Sequence, residues 1–175
     1  MSTKDELLKY LRESDGAWIS GESLAAALVI SRSAVWKHIK ALQEEGYEIG
    51  SSSRRGYALR NLPDRLLPAE IRQGLKTVCF GRETIEYYDE TDSTNLRARA
   101  LAHDGAPEGT VVVAETQIRG RGRRGRTWFS APRYGIYVSV ILRPRVQPHE
   151  APQLTLLAAI AMTETLLERA SLPFA

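Results

Sequence analysis

Two serines, Ser20 and Ser31, constrain the fold of the first sixty residues more than any other feature of the chain. Each precedes a short run with apolar residues at helical spacing, and a serine there caps a helix by accepting a hydrogen bond from a first-turn N–H group. Gly46 follows the second run as a C-terminal stop. Two short helices joined by a tight turn predict a helix-turn-helix. The apolar residues at helical spacing are Leu24 and Leu28 in the first run, and Val35, Ile39 and Leu42 in the second.

A further helix is predicted ahead of this pair. The segment Thr3-Lys4-Asp5-Glu6 has the spacing of a capping box, and Gly16 stands at the expected end of the helix. The leucines between them recur on one helical face.

The second helix of the pair carries a polar face that suits DNA. Because Val35 and Ile39 are expected to face the core, this polar face is expected to point outward. Its first half is placed to enter a major groove, and Lys40 is placed to meet phosphate. The face consists of Arg32, Ser33, Trp36, Lys37 and Lys40.

The stretch YEIGSSSRRGYAL after Gly46 predicts a β-hairpin, with Arg54 and Arg55 at the end of its serine-rich turn. Basic residues at this place are typical of a wing that meets the DNA backbone or minor groove. The predicted DNA-binding residues are therefore the polar face, the cap serines Ser20 and Ser31, and the two wing arginines. The alternatives are a three-helix protein-interaction module and a helix with an ordinary solvated face.

Two prolines, Pro63 and Pro68, mark a joint between two predicted domains. We expect a winged helix-turn-helix domain at 1–62, a linker with a short helix at 63–80, and a second domain at 81–175. The fold class is α+β, because strand and helix patterns alternate in the second domain and predict a mixed sheet with helices packed against it. Strands are predicted in ETIEYYDE, TVVVAET and GIYVSVIL, and helices in STNLRARALAHDG and APQLTLLAAIAMTETLLERA.

The stretch RGRGRRGRTWFS, from Arg119 to Ser130, concentrates positive charge in one place. Residues 63–175 carry fifteen Lys and Arg against thirteen Asp and Glu, a net charge of +2 that becomes −3 without the five arginines of this Arg-Gly tract. Three interpretations compete: a disordered RNA-binding segment, a solvated loop, and a loop around an anion. The glycines favour the third, because they let the backbone approach a ligand whose charge the arginines neutralise. The tract lacks the Gly-Lys-Ser/Thr of a Walker phosphate loop.

Three stretches in a fixed order resemble the catalytic domain of biotin–protein ligases: ETDSTN at 90–95, AETQIRGRGRRGRTWFS at 114–130 and GIYVSVILRP at 135–144. The amino-terminal SGESLAAALVISRSAVWKHIKALQEEGYEIGSSSRRGYAL resembles the winged helix-turn-helix of the bifunctional BirA family, whose members are ligase and biotin-operon repressor in one chain. The resemblance covers nearly all 175 residues and implies a class II synthetase-like α/β catalytic domain behind the DNA-binding domain.

The resemblance implies that biotin and ATP are substrates and that biotinyl-5′-AMP is the intermediate. Biotin then passes to a lysine of the biotin carboxyl carrier domain of a carboxylase, and Mg²⁺ is expected with ATP. The adenylate also implies corepression, since it favours a homodimer on operator DNA. No metal ligands are predicted, because His38, His103, His149 and Cys79 lack ligand spacing.

The resemblance also implies roles for residues of the ligand site. Ser93 hydrogen-bonds the ureido ring and Gln117 contacts the biotin head group, while Trp128 forms an apolar wall. Arg121 and Arg123 are the predicted catalytic residues. The complete predicted site is Ser93, Thr94, Asn95, Gln117, Gly120, Arg121, Gly122, Arg123 and Trp128. Simpler roles compete: Ser93 as a helix cap, Asp92 at the positive end of that helix, Gln117 as an ordinary loop residue and Trp128 as core.

The sequence departs from the family pattern after its last predicted helix. The family continues into a strand with a Lys-Trp-Pro-Asn-Asp motif and a small β-barrel, neither of which occurs here. We therefore expect an amino-terminal part of a bifunctional ligase with impaired ligase activity, or alternatively a ligand-sensing repressor without ligase chemistry. The single cysteine fits a reducing compartment, and with no visible signal peptide or membrane span we expect a cytoplasmic protein without a membrane partner.

Overall fold

The computed structural model describes residues 2–120, 122, 126–132, 134–147 and 149–170. Its first part holds three helices and a β-hairpin. These elements are α1 (Thr3–Glu13), α2 (Gly21–Leu28), α3 (Arg32–Glu44), β1 (Glu48–Ser52) and β2 (Gly56–Asn61). They confirm the predicted winged helix-turn-helix.

Serine side chains cap the three helices as the sequence predicts, with one shift. Ser20 accepts a hydrogen bond from the backbone N–H of Ser23, and Ser31 accepts one from Ala34. The capping box of α1 is formed by Ser2 and Asp5 and not by the segment that begins at Thr3. The prediction was one residue late because Thr3 is already helical, whereas Ser2 is extended and so leaves its oxygen in reach of the first turn.

The core of the first part is built from the helical faces that the spacing predicted. Leu7, Leu11, Leu24 and the α3 residues Val35, Ile39 and Leu42 are all buried in one cluster. Tyr47 and Ile49 extend the cluster into the hairpin. Burying a side chain of this size stabilises the fold by roughly 1.5–3 kcal/mol, so this cluster is what holds the three helices together.

The hairpin is tied to the segment before α2. Ile19 and Tyr57 exchange two backbone hydrogen bonds of 2.8 Å each, outside the antiparallel pairing of β1 with β2. Gly56 has a φ of +92°, and a Cβ atom there would lie 2.0 Å from the Ile19 carbonyl oxygen. Only glycine permits this close approach, which fixes the wing against the helices.

The linker packs against the first part of the chain. It forms α4 (Pro68–Gly74), one residue earlier than the predicted helix, with proline in its first turn. Leu67 is buried in the core cluster of the first part. Glu70 accepts a hydrogen bond of 2.5 Å from the Tyr47 hydroxyl and pairs with Arg12. The predicted domain boundaries stay a prediction.

A three-stranded mixed sheet follows, as predicted. Its elements are β3 (Ile85–Thr91), α5 (Thr94–His103), β4 (Val111–Gln117) and β5 (Tyr137–Val140). The strand order is β3-β4-β5, with β4 parallel to β3 and antiparallel to β5. On one face Val112 packs with Ala98 of α5, and on the other Val111 and Val113 pack with apolar residues of the linker and α4. β4 is thus buried on both faces, which explains its run of β-branched residues.

The last helix, α6 (Ala151–Ala170), has the predicted extent but differs from the expected packing. The sequence predicted a helix packed against the sheet, as α5 is. Apart from half-buried Leu154, the described side chains of α6 are exposed. The apolar composition of α6 specified a helix but did not specify a partner for it. No helix in the described ranges is long and apolar enough to cross a membrane.

Candidate functional site

The carboxyl ends of the parallel strands β3 and β4 lie side by side, at the edge where α/β sheets usually bind ligands. The pairing of the strands continues past Thr91 and Gln117, their last residues. The Ile118 N–H donates to the Thr91 carbonyl over 2.9 Å, and the Arg119 N–H donates to the Asp92 carbonyl over 2.9 Å. Two predicted motifs that are distant in sequence are therefore held next to each other.

Gln117 joins three segments through its side-chain amide. Its Oε1 accepts hydrogen bonds from the Thr94 backbone N–H at 2.8 Å and from the Thr94 hydroxyl at 3.2 Å. Its Nε2 donates to the Ser130 hydroxyl over 3.1 Å. Gln117 thus satisfies a first-turn N–H group of α5 and is the last residue of β4, not an ordinary loop residue.

Ser93 occupies the N-cap position of α5, but its side chain makes no capping hydrogen bond. The simple capping role considered for Ser93 is therefore wrong, because the Gln117 amide oxygen takes the Thr94 N–H group that a capping side chain would help to satisfy. The Ser93 residue is only 2% exposed. Within the described residues its hydroxyl makes no hydrogen bond, so it is available to a ligand at the strand ends.

Asp92 stabilises the start of α5 as a charge. Its Oδ1 accepts a hydrogen bond of 2.8 Å from the Ser93 backbone N–H and one of 3.0 Å from the Thr91 hydroxyl, and it lies 3.0 Å from Arg97 Nε. The Ser93 N–H holds the pKa of Asp92 below its usual value, with further help from the Thr91 hydroxyl and the Arg97 charge. The simpler role expected for Asp92 is confirmed.

The Arg-Gly tract leaves β4 and turns back on itself. The Trp128 N–H donates to the Gly120 carbonyl over 2.9 Å, and the Gly122 N–H donates to the Arg126 carbonyl over 2.7 Å. A Cβ atom on Gly120 would lie 2.5 Å from the Trp128 carbonyl oxygen, so only glycine fits there. The described residues of the tract thus form a narrow loop at the strand ends.

The other predicted ligand residues have mixed outcomes. Arg121 and Arg123, the predicted catalytic residues, lie outside the described residues. Asn95 is exposed on the first turn of α5. Trp128 is 59% exposed, so it is not a core residue in the described part of the chain. Its predicted role as an apolar wall stays a prediction.

Two serines that sequence reasoning missed complete the hydrogen-bonded cluster. Ser139 on β5 donates to the Thr94 hydroxyl over 2.9 Å, and Ser130 accepts from Gln117. Neither serine lies in a pattern that marks it, because each is brought to the cluster by strand pairing with β4.

The predicted DNA-binding surface is exposed as expected. All five residues of the α3 polar face are exposed, and so are Arg54 and Arg55 in the turn between β1 and β2. A groove runs between α3 and the wing. It is lined by Ser20, Arg32, Trp36, Ser53, Arg54 and Tyr57.

The two cap serines are also bonded to neighbouring serines. Ser20 Oγ lies 2.7 Å from Ser23 Oγ, and Ser31 Oγ lies 2.9 Å from Ser33 Oγ. Both hydroxyls are exposed at helix N-termini, where backbone N–H groups favour anions such as phosphate. Their predicted DNA contacts stay predictions.

Trp18 supports the wing in a way that the sequence did not reveal. The guanidinium of Arg55 lies 4.2 Å from the centre of the Trp18 ring, and that of Arg60 lies 5.0 Å from it. Arg55 is therefore held by a cation–π contact. The three residues are far apart in sequence, so only the hairpin fold brings them together.

No group of three or more His, Cys, Asp and Glu side chains within the described ranges is arranged to hold a metal ion. The hydrogen-bonding groups at the strand ends are hydroxyls and an amide, which suit a small polar organic ligand better than a metal ion.

Comparison with known proteins places both parts of the chain. A family model described as an HTH domain matches residues 3–58, and one described as the biotin/lipoate A/B protein ligase family matches residues 87–173. The chain belongs to this ligase family. Its helix-turn-helix aligns it with the bifunctional members.

Relatives with that domain pair match most of the chain. The bifunctional ligase/repressor BirA of Bacillus subtilis (strain 168) is 44% identical over 97% of the chain and 52% of the relative. BirA of Escherichia coli (strain K12) is 36% identical over 87% of the chain and 46% of the relative. The chain spans about half the length of the curated relatives it matches. Among solved structures, the biotin protein ligase from Aquifex aeolicus in complex with biotin and ATP has 34% identity and a TM-score of 0.45, covering 53% of this chain and 38% of that one.

Proposed function

We propose that the protein is a biotin–protein ligase that also represses a biotin operon. One observation carries the ligase proposal. Buried Ser93 and the bridging Gln117 meet at the carboxyl ends of β3 and β4, directly before Gly120 and the Arg-Gly tract. A small polar head group and an anionic tail are the two ligand parts that such a site would bind together.

The head-group end of the site is made of groups that both donate and accept hydrogen bonds. The Ser93 hydroxyl and the Gln117 amide match the N–H and C=O groups of a ureido ring. A buried site of this kind selects its ligand strongly, because a ligand without these groups would leave polar atoms unpaired. Biotin has such a ring.

The Arg-Gly tract would serve the anionic end. Attack of the biotin carboxylate on the α-phosphorus of ATP brings two anions together, so fixed positive charge at that point lowers the barrier. Gly120 and Gly122 let backbone N–H groups approach the anions, and we assign Arg121 and Arg123 to charge stabilisation. Mg²⁺ would accompany ATP and share in neutralising its phosphates. Trp128 would shield the adenylate from water.

The ligase proposal is tested with protein expressed from the complete open reading frame that encodes this chain. It is incubated with biotin, ATP labelled at the α-phosphate and a biotin carboxyl carrier domain. We expect labelled biotinyl-5′-AMP, release of pyrophosphate and biotin on the carrier lysine. Gln117→Ala should reduce all three, whereas Gln73→Ala, a change at an exposed glutamine of α4, should not.

A ligand-sensing repressor is the competing proposal. Such a protein would bind biotinyl-5′-AMP and respond in DNA binding, but would release no pyrophosphate and label no carrier. The same assay therefore separates the two.

The repressor proposal rests on the exposed basic face of α3 and on the wing beside it. We assign base contacts to Arg32, Trp36 and Lys37, and backbone contacts to Lys40 and the wing arginines. A homodimer favoured by biotinyl-5′-AMP would place two such domains on operator DNA. Since the chromosome and the carboxylase carrier are its partners, we also propose that the protein works in the cytoplasm.

A further inference from the structure

We propose that Ser130 is a positioning residue of the ligand site. Its hydroxyl fixes the Gln117 amide so that Gln117 presents an N–H donor, and not its oxygen, to the ligand. The identity of that ligand as a ureido compound rests on the proposed function. The positioning of the amide does not.

The direction of the Gln117 amide follows from a group that cannot accept a hydrogen bond. The Thr94 backbone N–H lies 2.8 Å from one terminal atom of the amide. A backbone N–H can only donate, so the atom that faces it must be the oxygen, Oε1. The Thr94 hydroxyl donates to the same atom over 3.2 Å.

Ser130 is the partner on the other side of the amide. Gln117 Nε2 lies 3.1 Å from Ser130 Oγ. Because Nε2 can only donate, the serine oxygen accepts, and this bond uses one of the two Nε2 hydrogens. A flipped amide would place N–H groups against the Thr94 N–H, so the two contacts support a single orientation.

Ser130 is itself held firmly. Its residue is 7% exposed, and its backbone forms a β-bridge with Gln117. Its carbonyl accepts a hydrogen bond of 3.0 Å from the Thr116 hydroxyl. Its Oγ lies close to the backbone of Gly120, 3.0 Å from where a Cβ atom would be. Ser130 therefore links the head-group end of the site to the first glycine of the Arg-Gly tract.

Hydrogen bonds upstream of Gln117 run in the same direction. Ser139 Oγ donates to Thr94 Oγ1 over 2.9 Å, which leaves the Thr94 hydroxyl hydrogen for Gln117. The chain of donors thus passes from Ser139 through Thr94 and Gln117 to Ser130. Bonds aligned in this way strengthen one another.

The second Nε2 hydrogen of Gln117 has no acceptor among the described residues. It is left for the ligand, and the group that matches a donor is a carbonyl oxygen. We infer that Gln117 recognises the ureido oxygen of the ligand and that Ser130 sets this preference without touching the ligand.

The first arm of the test needs no ligand. The side-chain amide signals of Gln117, identified by their loss in Gln117→Ala, are followed by NMR in the full chain. Ser130→Ala should shift these signals and speed their exchange with water. Thr116→Val removes the other side-chain bond to Ser130 but leaves Oγ in place, so it should leave the signals unchanged. Unchanged signals in Ser130→Ala would overturn the proposal.

The second arm compares the dissociation constants of biotin and 2-iminobiotin, in which an imino nitrogen replaces the ureido oxygen. Loss of one oriented hydrogen bond should reduce the preference for biotin about fivefold in Ser130→Ala. Ser130→Thr keeps a hydroxyl and should retain the preference, as should Thr116→Val. An equal preference in Ser130→Ala and the unaltered chain would contradict the inference. If the unaltered chain bound neither compound, the proposed function would fail, and the NMR arm alone would decide the positioning role.

Discussion

Asp92 shows how one side chain can tie a strand end to a helix. Its carboxylate accepts from the Ser93 N–H and the Thr91 hydroxyl and lies beside Arg97. All three contacts favour the charged form, and the positive end of α5 favours it too. The local order of the site therefore depends on a single negative charge.

Replacement of Asp92 by asparagine should make stability less dependent on acid. The pKa of Asp92 is lowered by folding, so its contribution is present above the unfolded value of about 3.9 and is lost as the pH falls through the folded value. Asp92→Asn should be less stable than the unaltered chain at pH 7, and the difference should shrink below about pH 4. Urea unfolding across this pH range measures it. Asp64→Asn, at an exposed linker residue, is the control; a constant difference for Asp92→Asn would refute the expectation.

Gly120 should tolerate no side chain. Gly120→Ala would place Cβ 2.5 Å from the Trp128 carbonyl, so the loop must shift at a cost of about 1–3 kcal/mol. Biotin binding should weaken while the winged domain still binds DNA. Gly74→Ala meets nothing within 4 Å and should be nearly neutral in both measurements. Equal effects of the two changes would argue against a tight loop.

Sequence reasoning found Ser93, Thr94 and Gln117 only through the resemblance to a family. Their composition and spacing alone left capping and loop roles open. Ser130 and Ser139 could not be found, because their contacts depend on the pairing of strand segments that are distant in the chain.

At the scale of elements, the wing and α3 form one surface with two kinds of side chain. Arg55 is held on Trp18, and Arg54 lies on the groove beside Trp36. Gly56 and the bridge between Ile19 and Tyr57 keep the wing at a fixed distance from the helices. A rigid surface of this kind suits the separate tasks of positioning and base recognition.

Substitutions on the two elements should therefore have different effects on DNA binding. Arg54→Ala together with Arg55→Ala should weaken binding to all DNA sequences and reduce the salt dependence by about two charges. Trp36→Ala or Lys37→Ala should change which sequence is preferred, by roughly 1–3 kcal/mol per lost base contact. Fluorescence anisotropy with a panel of duplexes at several salt concentrations distinguishes these effects. A uniform loss from both kinds of change would contradict the division of roles.

Most elements were predictable because short-range patterns specify them. Cap serines set the starts of α2 and α3, and β-branched residues marked β4. The exposed position of α6 was not predictable, since its apolar residues specify a helix without identifying a partner. The start of α1 was missed by one residue because Ser2 and Thr3 are both suitable caps.

At the scale of the whole molecule, the linker joins the winged domain to the sheet. Arg65 donates to the Glu45 carbonyl over 3.1 Å and to the Tyr87 hydroxyl over 2.7 Å, and it pairs with Asp89. The Leu66 N–H donates to Glu115 over 2.8 Å. Burial, and after it the nearby charge of Glu115, raises the pKa of Tyr87, so its hydroxyl remains a donor at neutral pH. The two prolines predicted a spacer, but they could not reveal these contacts between residues distant in sequence.

Removal of the Arg65 side chain should loosen this joint. Arg65→Ala should separate the unfolding of the winged domain from that of the sheet, with a loss of about 1–2 kcal/mol from its hydrogen bonds. Differential scanning calorimetry should show a broader or split transition. Arg99→Ala, at an exposed arginine of α5, should leave the transition unchanged. An unaltered transition in Arg65→Ala would show that the linker does not couple the two parts.

Calorimetric titration with biotinyl-5′-AMP tests most directly whether the strand ends and the Arg-Gly tract form an adenylate site. The protein is expressed from its complete open reading frame and compared with Ser93→Ala and Gln73→Ala. We predict saturable binding at one site, weakened about tenfold in Ser93→Ala by the loss of one buried hydrogen bond and unchanged in Gln73→Ala. No heat of binding, or equal affinity in all three proteins, would contradict this assignment.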